Sequence, residues 1–340
     1  MELDLDKVKF INTNGDISVN IKVDIPIKLY KYYCIDKNSN SSMENSSLFF
    51  SHAHLLNDVM DGNFSLWNLK NYIQKYKKDT NNSDDENTLI KSHLIQLINP
   101  ILKYRGTLSL TDSFENELFW AHYTKDRGYC IEIDTQKLYT FLKEKYQNMV
   151  LLFPINYNEL KSIDFHENVI YKLEKNKQSV DVKIPICYSL SVKDKFWDYE
   201  NEWRLLLNDK EFNQISNPLE IISDDLKNTE LKNLSKRNVK VDSEIIKKVI
   251  LSLYFFNNER FNKTETDTQQ NEIYWFKKTT EFKFTHNFLK ILKNQYNDKI
   301  EQIDKTLNYD SNTVKRKLQF KVKILKITKR YVKIKRTLIE

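Results

Sequence analysis

Glycine is almost missing from this chain. There are four in 340 residues, with five prolines. A phosphate-cradling loop of the GxGxxG or GxxxxGKS/T kind needs several glycines within a few positions, so both classes of nucleotide site are excluded. Cysteine is scarce too. Cys34, Cys130 and Cys187 are odd in number and far apart, which builds neither a disulfide framework nor a metal cluster. No apolar run approaches the roughly 18 residues of a membrane span. The N-terminal MELDLDKVKF is charged, where a signal peptide would be apolar. Together these absences predict a chain of the reducing cytoplasm.

Positive charge, by contrast, is concentrated. The formal net charge is +7, yet residues 311–340 alone hold eleven Lys and Arg against Glu340. The remaining 310 residues are slightly acidic, so the body is not a general polyanion binder. Hydrophobic residues make up 40% of the chain, enough for a sizeable core.

Along the chain, IPIKLYKYYCI (25–35) reads as a strand and KNSNSSMENSS (37–47) as a loop. LFFS is a short strand running into a turn at Asn57-Asp58, and 77–87 reads as a polar, mobile stretch. TLIKSHLIQLI (88–98) has helical spacing. GTLSLTD, GYCIEID, NMVLLFPINY, WRLLL and KVILSLYF read as strands, with ENELFWAHYTKDR as a helical turn and loop. Residues 134–147 form a helix capped by Asp134. Helices and strands alternate without regular βαβ spacing, so the expected fold class is α+β. It comprises a mixed, mostly antiparallel sheet core with flanking helices over 1–278. Residues 285–307 read as a helix. Phe320, Ile324, Ile327, Tyr331, Ile334 and Leu338 recur at spacings of 4, 3, 4, 3, 4. That spacing predicts a basic helix, making 279–340 a helical extension. Such a helix packs on the body, pairs with a partner helix, or docks on nucleic acid or an anionic membrane.

Three stretches can carry chemistry. In KDKFWDYENEWRLLL (193–207), strand alternation puts Glu200, Glu202 and Arg204 on one face and Trp203, Leu205 and Leu207 on the other. Two carboxylates beside a guanidinium suit a developing cation or sugar hydroxyls. The alternative is an ion pair on a solvent-facing strand. In FWAHYTKDRGYCIEID (119–134), Trp120 and Tyr123 share one side of a helical turn. There His122 is either an acid/base or a structural hydrogen bonder. In FFSHAHLLND, His52 and His54 have the spacing of two ligands on one strand face, but nothing nearby completes a metal site. No metal is expected.

Together the stretches resemble the bacterial family known as domain of unknown function 2971, over about residues 25–275. The matching motifs are LYKYY (29–33), LFFSHAHLLND (48–58), the Ser-containing strand with its Trp-x-x-Tyr, and IIKKVILSL. Most specific is KDKFWDYENEWR, matching Lys193, Trp197, Tyr199, Glu200, Glu202, Trp203 and Arg204. Asn57, Asp58, Val59, Met60 and Asp61 stand where that family reads Asn-Asp-Pro-x-Glu, a departure that implies a looser turn.

The order of an aromatic early strand, a strand ending in Ser51 and a late Glu heading an apolar strand is also similar to ADP-ribosyltransferases. This second resemblance implies an enzyme that consumes NAD as substrate and modifies a macromolecule, such as a toxin or phage-defence effector. It makes Glu202 the residue that steadies an oxocarbenium-like transition state, with Glu200 toward the acceptor. Tyr32, Trp120 or Tyr123 would stack on nicotinamide. Arg127 or Arg204 would meet the pyrophosphate, and Ser51 and His122 would complete the lining. Two other classes stay open. One is a non-enzymatic module binding a small ligand, with nucleic acid on its basic tail. The other is a metal-dependent nuclease or hydrolase using Glu200, Glu202 and Asp58.

Overall fold

The computed structural model describes residues 1–52, 55–58, 60–80, 105–125, 127–147, 150–174, 177–209, 212, 237–256, 261–266, 271–280, 282–306 and 316–339. The helix expected over 88–98 lies outside them, as does His54. The fold is α+β, and its chain divides into two compact units.

The first unit comprises Met1–Pro26, Phe49–Leu110 and Tyr139–Val239. It opens with an antiparallel sheet of Glu2–Asp4, Val8–Thr13 and Asp16–Ile21. Asn14 and Gly15, both at positive φ (54° and 100°), make the two-residue turn whose twist suits a hairpin. Deeper in the unit, Glu202–Asn208 lies between Arg105–Thr111 and Val150–Pro154. Its pairing with the latter is antiparallel, with Trp203 opposite Pro154 and Leu205 opposite Leu152. Both faces of Glu202–Asn208 are buried, which is why it reads as an apolar run rather than an alternation. Phe10 and Phe153 meet edge-on at 5.1 Å. They pack with Trp67, Phe165, Ile184, Leu190 and Leu206 in one core.

The second unit comprises Ile27–Leu48, Thr111–Leu138 and Lys240–Glu340. Its sheet runs in the order Phe261–Thr266, Glu272–Lys277, Tyr331–Ile339, Arg316–Ile327, Ile300–Thr306, Ile246–Leu251, Tyr129–Asp134, Lys28–Tyr33. The pairings are antiparallel except that of Ile246–Leu251 with Ile300–Thr306. A parallel pair needs a long crossover. Here it contains the helix Lys283–Ile291, whose Phe288 stacks on Tyr129 at 4.4 Å.

Several expectations stand. Strands occupy Lys28–Tyr33, Ser47–Phe49, Arg105–Thr111, Tyr129–Asp134, Val150–Pro154, Glu202–Asn208 and Ile246–Leu251. Asp134 accepts from the Lys137 amide (3.0 Å) ahead of the helix Thr135–Tyr146.

Others need correction. Residues 37–47, expected as a loop, contain the helix Lys37–Glu44, started by a reciprocal capping box between Asp36 and Ser39. Residues 77–80, expected as part of a polar, mobile stretch, close the helix Lys70–Thr80. The helix expected over 285–307 ends in a π-turn at Leu292–Tyr296, and Ile300–Thr306 is a strand.

The basic helix expected over Phe320–Leu338 is not formed. Arg316–Ile327 and Tyr331–Ile339 are paired strands. Phe320, Val322 and Ile324 are buried, as are Val332, Ile334 and Arg336, an alternation of period two. A bulge between Ile324 and Lys326 turns one even spacing into the 3 from Ile324 to Ile327. The other 3, from Tyr331 to Ile334, joins residues on opposite faces of one strand. The β-branched Val, Ile and Thr residues favour the strand.

Gly128 sits where a Cβ would come within 2.1 Å of the Tyr33 carbonyl oxygen and 2.8 Å of Thr124 Cβ. Gly128→Ala should therefore cost at least about 2 kcal/mol of stability through overpacking. Chemical denaturation monitored by circular dichroism checks this.

Candidate functional site

Five charged side chains meet inside the first unit: Asp61, Lys193, Glu200, Glu202 and Arg204. None is more than 5% exposed. Local structure aims each of them. Asp61 lies in a turn in which its own amide donates to the Asp58 carbonyl (3.1 Å) and the Gly62 amide to the Ser189 carbonyl (3.0 Å). Gly62 has φ 67°, a conformation glycine adopts at no steric cost. Lys193 belongs to the strand Val192–Asp194. A 3-10 turn, Lys195–Glu200, follows, started by the Asp194 carboxylate accepting from the Phe196 amide (3.0 Å). Glu200 therefore ends a turn and is not on the strand, as the sequence had implied. Asn201, left-handed at φ 41° and ψ 47°, redirects the chain so that Glu202 heads the strand.

Arg204 is the hub. Its Nε and Nη2 grip Glu202 Oε1 and Oε2 at 2.6 and 3.0 Å. The same Nη2 reaches Asp61 Oδ1 and Oδ2 at 2.8 and 2.9 Å. Nη1 donates to the Leu190 carbonyl at 3.0 Å. Lys193 Nζ bridges Glu200 Oε2 (2.7 Å) and Glu202 Oε2 (2.9 Å) and stands 5.4 Å from the centre of the Trp197 ring. The Glu202 amide donates to the Tyr157 hydroxyl at 2.7 Å, and Ser109 hydrogen-bonds the Glu202 carboxylate. The solvent-facing alternative for this strand is thereby overturned, because its charged face is dry.

The two acids on Arg204 titrate in opposite directions. Burial raises Asp61 most, and the Glu202 charge adds to this; Arg204 and Lys193 offset them only in part, leaving it at about 6. Burial also opposes the charge of Glu202, but Arg204 and Lys193 outweigh it and hold that carboxyl at about 2. One site thus keeps a carboxylate ionised beside a second acid that can hold a proton near neutral pH.

The other expected residues are distributed as follows. Ser51, like Glu200, Glu202 and Arg204, belongs to the first unit. It forms a β-bridge with Thr107, and its hydroxyl donates to the His52 carbonyl at 3.2 Å. Tyr32, Trp120, His122, Tyr123 and Arg127 belong to the second unit. There the Tyr32 ring packs edge-on against Phe119 (5.1 Å) and Trp120 (4.9 Å), and Tyr123 against Phe119 (5.0 Å). Trp120 Nε1 donates to the Phe114 carbonyl at 2.9 Å. His122 and Arg127 are exposed. Among the described residues, no group of three or more His, Cys, Asp or Glu is placed to hold a metal ion.

Sequence reasoning missed Asp61, Tyr157 and Ser109 as members of the site and gave Lys193 no role. Lys193 was detectable, because it opens the motif block KDKFWDYENEWR that also holds Glu200, Glu202 and Arg204. Asp61 stands at the acid of the Asn-Asp-Pro-x-Glu pattern, but nothing local shows that it meets a residue 143 positions away.

Residues 119–205 match the family model described as "Protein of unknown function (DUF2971)". The resemblance drawn from the motifs is therefore found over that span, which holds Lys193, Glu200, Glu202 and Arg204. No curated protein and no solved structure matches the chain.

Removing one partner of a buried pair leaves an uncompensated charge. Arg204→Met should cost about 3–5 kcal/mol in chemical denaturation. Arg204→Lys should also lose stability, since an ammonium cannot span Glu202, Asp61 and the Leu190 carbonyl together. The pH response separates the two acids. With its folded pKa raised, the stability contribution of Asp61 is present below about pH 4 and lost as pH rises through 6. That of Glu202 is present above about pH 4.5 and lost as pH falls toward 2. Melting curves of wild type and Asp61→Asn should diverge between pH 4 and 7, the wild type gaining relative stability on acidification. Parallel curves would mean that Asp61 does not titrate in this window.

Proposed function

We propose that the protein is an NAD-consuming glycosyl transferase of the ADP-ribosyltransferase kind, with Glu202 as its anionic catalytic residue and a macromolecule as acceptor. One observation carries this. The Glu202 carboxylate is dry, ionised and fixed on both oxygens by charged donors at the head of a buried strand. A negative charge that needs no reorganisation in a low-dielectric site is what a developing sugar cation requires. In the reaction, the bond between ribose C1′ and the nicotinamide nitrogen breaks and its electron pair leaves with nicotinamide. The acceptor's nucleophilic atom bonds to C1′ and gives up its proton to a base. Lys193 and Arg204 set the charge and orientation of Glu202, and Glu200, on the same ammonium, faces the acceptor.

A second reading has its own support in the burial of all five groups. A closed, fully paired cluster also serves to fix the unit's structure. The protein would then bind a ligand without transforming it.

Incubation with NAD and measurement of released nicotinamide separates the two. The transferase reading expects nicotinamide release by wild type that falls at least a hundredfold in Glu202→Gln, with folding checked by circular dichroism. Should that variant not fold, Glu200→Gln is expected to keep nicotinamide release but to lower transfer to acceptor. No nicotinamide release by wild type, with or without cell extract as acceptor source, removes the enzyme reading and leaves the binding module.

A further inference from the structure

The outer face of the second unit's sheet has a composition that its fold does not explain. Across three neighbouring strands, cross-strand partners form two rows. Trp275 lies opposite Lys333, which lies opposite Lys326; Ile273 lies opposite Lys335, which lies opposite Lys323. Tyr331, opposite Lys277, extends the face and meets Trp275 at 4.6 Å between ring centres. The reverse face carries Tyr274, Ile324, Val332 and Ile334, all buried. Like charges directly opposite each other in a ladder destabilise it. Here two such lysine pairs sit side by side. The described acid nearest them is Asp298, 3.4 Å from Lys323 and itself 82% exposed. Lys333 Nζ lies 5.2 Å from the Trp275 ring centre, so part of the positive charge is gathered on an aromatic surface.

We propose that this face docks single-stranded nucleic acid, the lysines following the phosphates and the Trp275 and Tyr331 rings stacking on bases. Charge complementarity selects a polyanion, because a line of phosphates relieves the repulsion built into the two lysine rows. The rings select exposed bases. A pair of aromatics among lysines on an open sheet matches the stacking-plus-backbone recognition of single strands, whereas a duplex hides its base faces. Both rings are half-buried, so they are held in place while keeping a surface to offer. The inference concerns the second unit and stands apart from the transferase reading.

Fluorescence anisotropy of the full chain with a labelled single-stranded 20-mer tests it. The expected plot of log affinity against log salt has a slope near −3, about −0.7 for each of four neutralised phosphates. Lys323→Glu with Lys335→Glu should lower affinity at least tenfold and halve that slope. Trp275→Ala should lower affinity about five- to a hundredfold, the range for one lost base stack. Tyr331→Ala gives an independent measure should Trp275→Ala perturb the sheet. Unchanged affinity in the double lysine variant, or in both aromatic variants, overturns the proposal. So does tighter binding to the matching duplex, to vesicles rich in anionic lipid, or to polyglutamate than to the single strand.

Discussion

A single guanidinium holds the first unit's charged interior together. Arg204 closes a fork on Glu202, reaches Asp61 and donates to a main-chain carbonyl, and it does so fully out of water. Taking five ionisable groups into a dry interior is costly, and mutual pairing offsets that cost only when the geometry is good. The surrounding structure supplies that geometry. A left-handed asparagine redirects the chain between the two glutamates, a glycine turn presents Asp61, and a strand buried on both faces fixes Arg204. Loosening any one of them would leave a charge without its counter-charge.

The same arrangement gives the cluster its chemical character. Two acids on one guanidinium end up with different affinities for protons because their other neighbours differ. Glu202 also faces Lys193, whereas Asp61 has that ammonium only at 4.0 Å. A pair of acids driven apart in this way is the usual signature of divided roles. Here the division comes from geometry on the scale of about an ångström.

Much of the architecture was legible in the sequence, and the failures have physical causes. Strand positions followed from short apolar runs bounded by polar turns, and the α+β class followed from their irregular alternation. Glu202 and Arg204 were identified because alternate positions at a strand head share a face. Asp61 was not, because its importance lies in a contact 143 residues away. The most instructive miss is the basic segment. One extra residue at a bulge and one apolar residue, Tyr331, on the opposite face together turn a period of two into the spacing of a helix. The omission of Val322 and Val332 from the apolar pattern completed the illusion. The capping box at Asp36 and Ser39 worked in reverse, making a helix from a stretch whose Ser and Asn content predicts a loop.

The placement of Tyr331–Ile339 has a consequence for how the polypeptide acquires its shape. This segment is translated after both of its neighbours, yet it lies between Glu272–Lys277 and Arg316–Ile327. Until position 339 has left the ribosome, the hairpin of Phe261–Thr266 with Glu272–Lys277 has no third strand, and an isolated hairpin is marginal in water. A nascent chain would therefore carry unfinished ladder edges through the synthesis of some sixty further residues. The lysines of Arg316–Ile327 can guard only that strand's own open edge, from its emergence until Tyr331–Ile339 pairs with it.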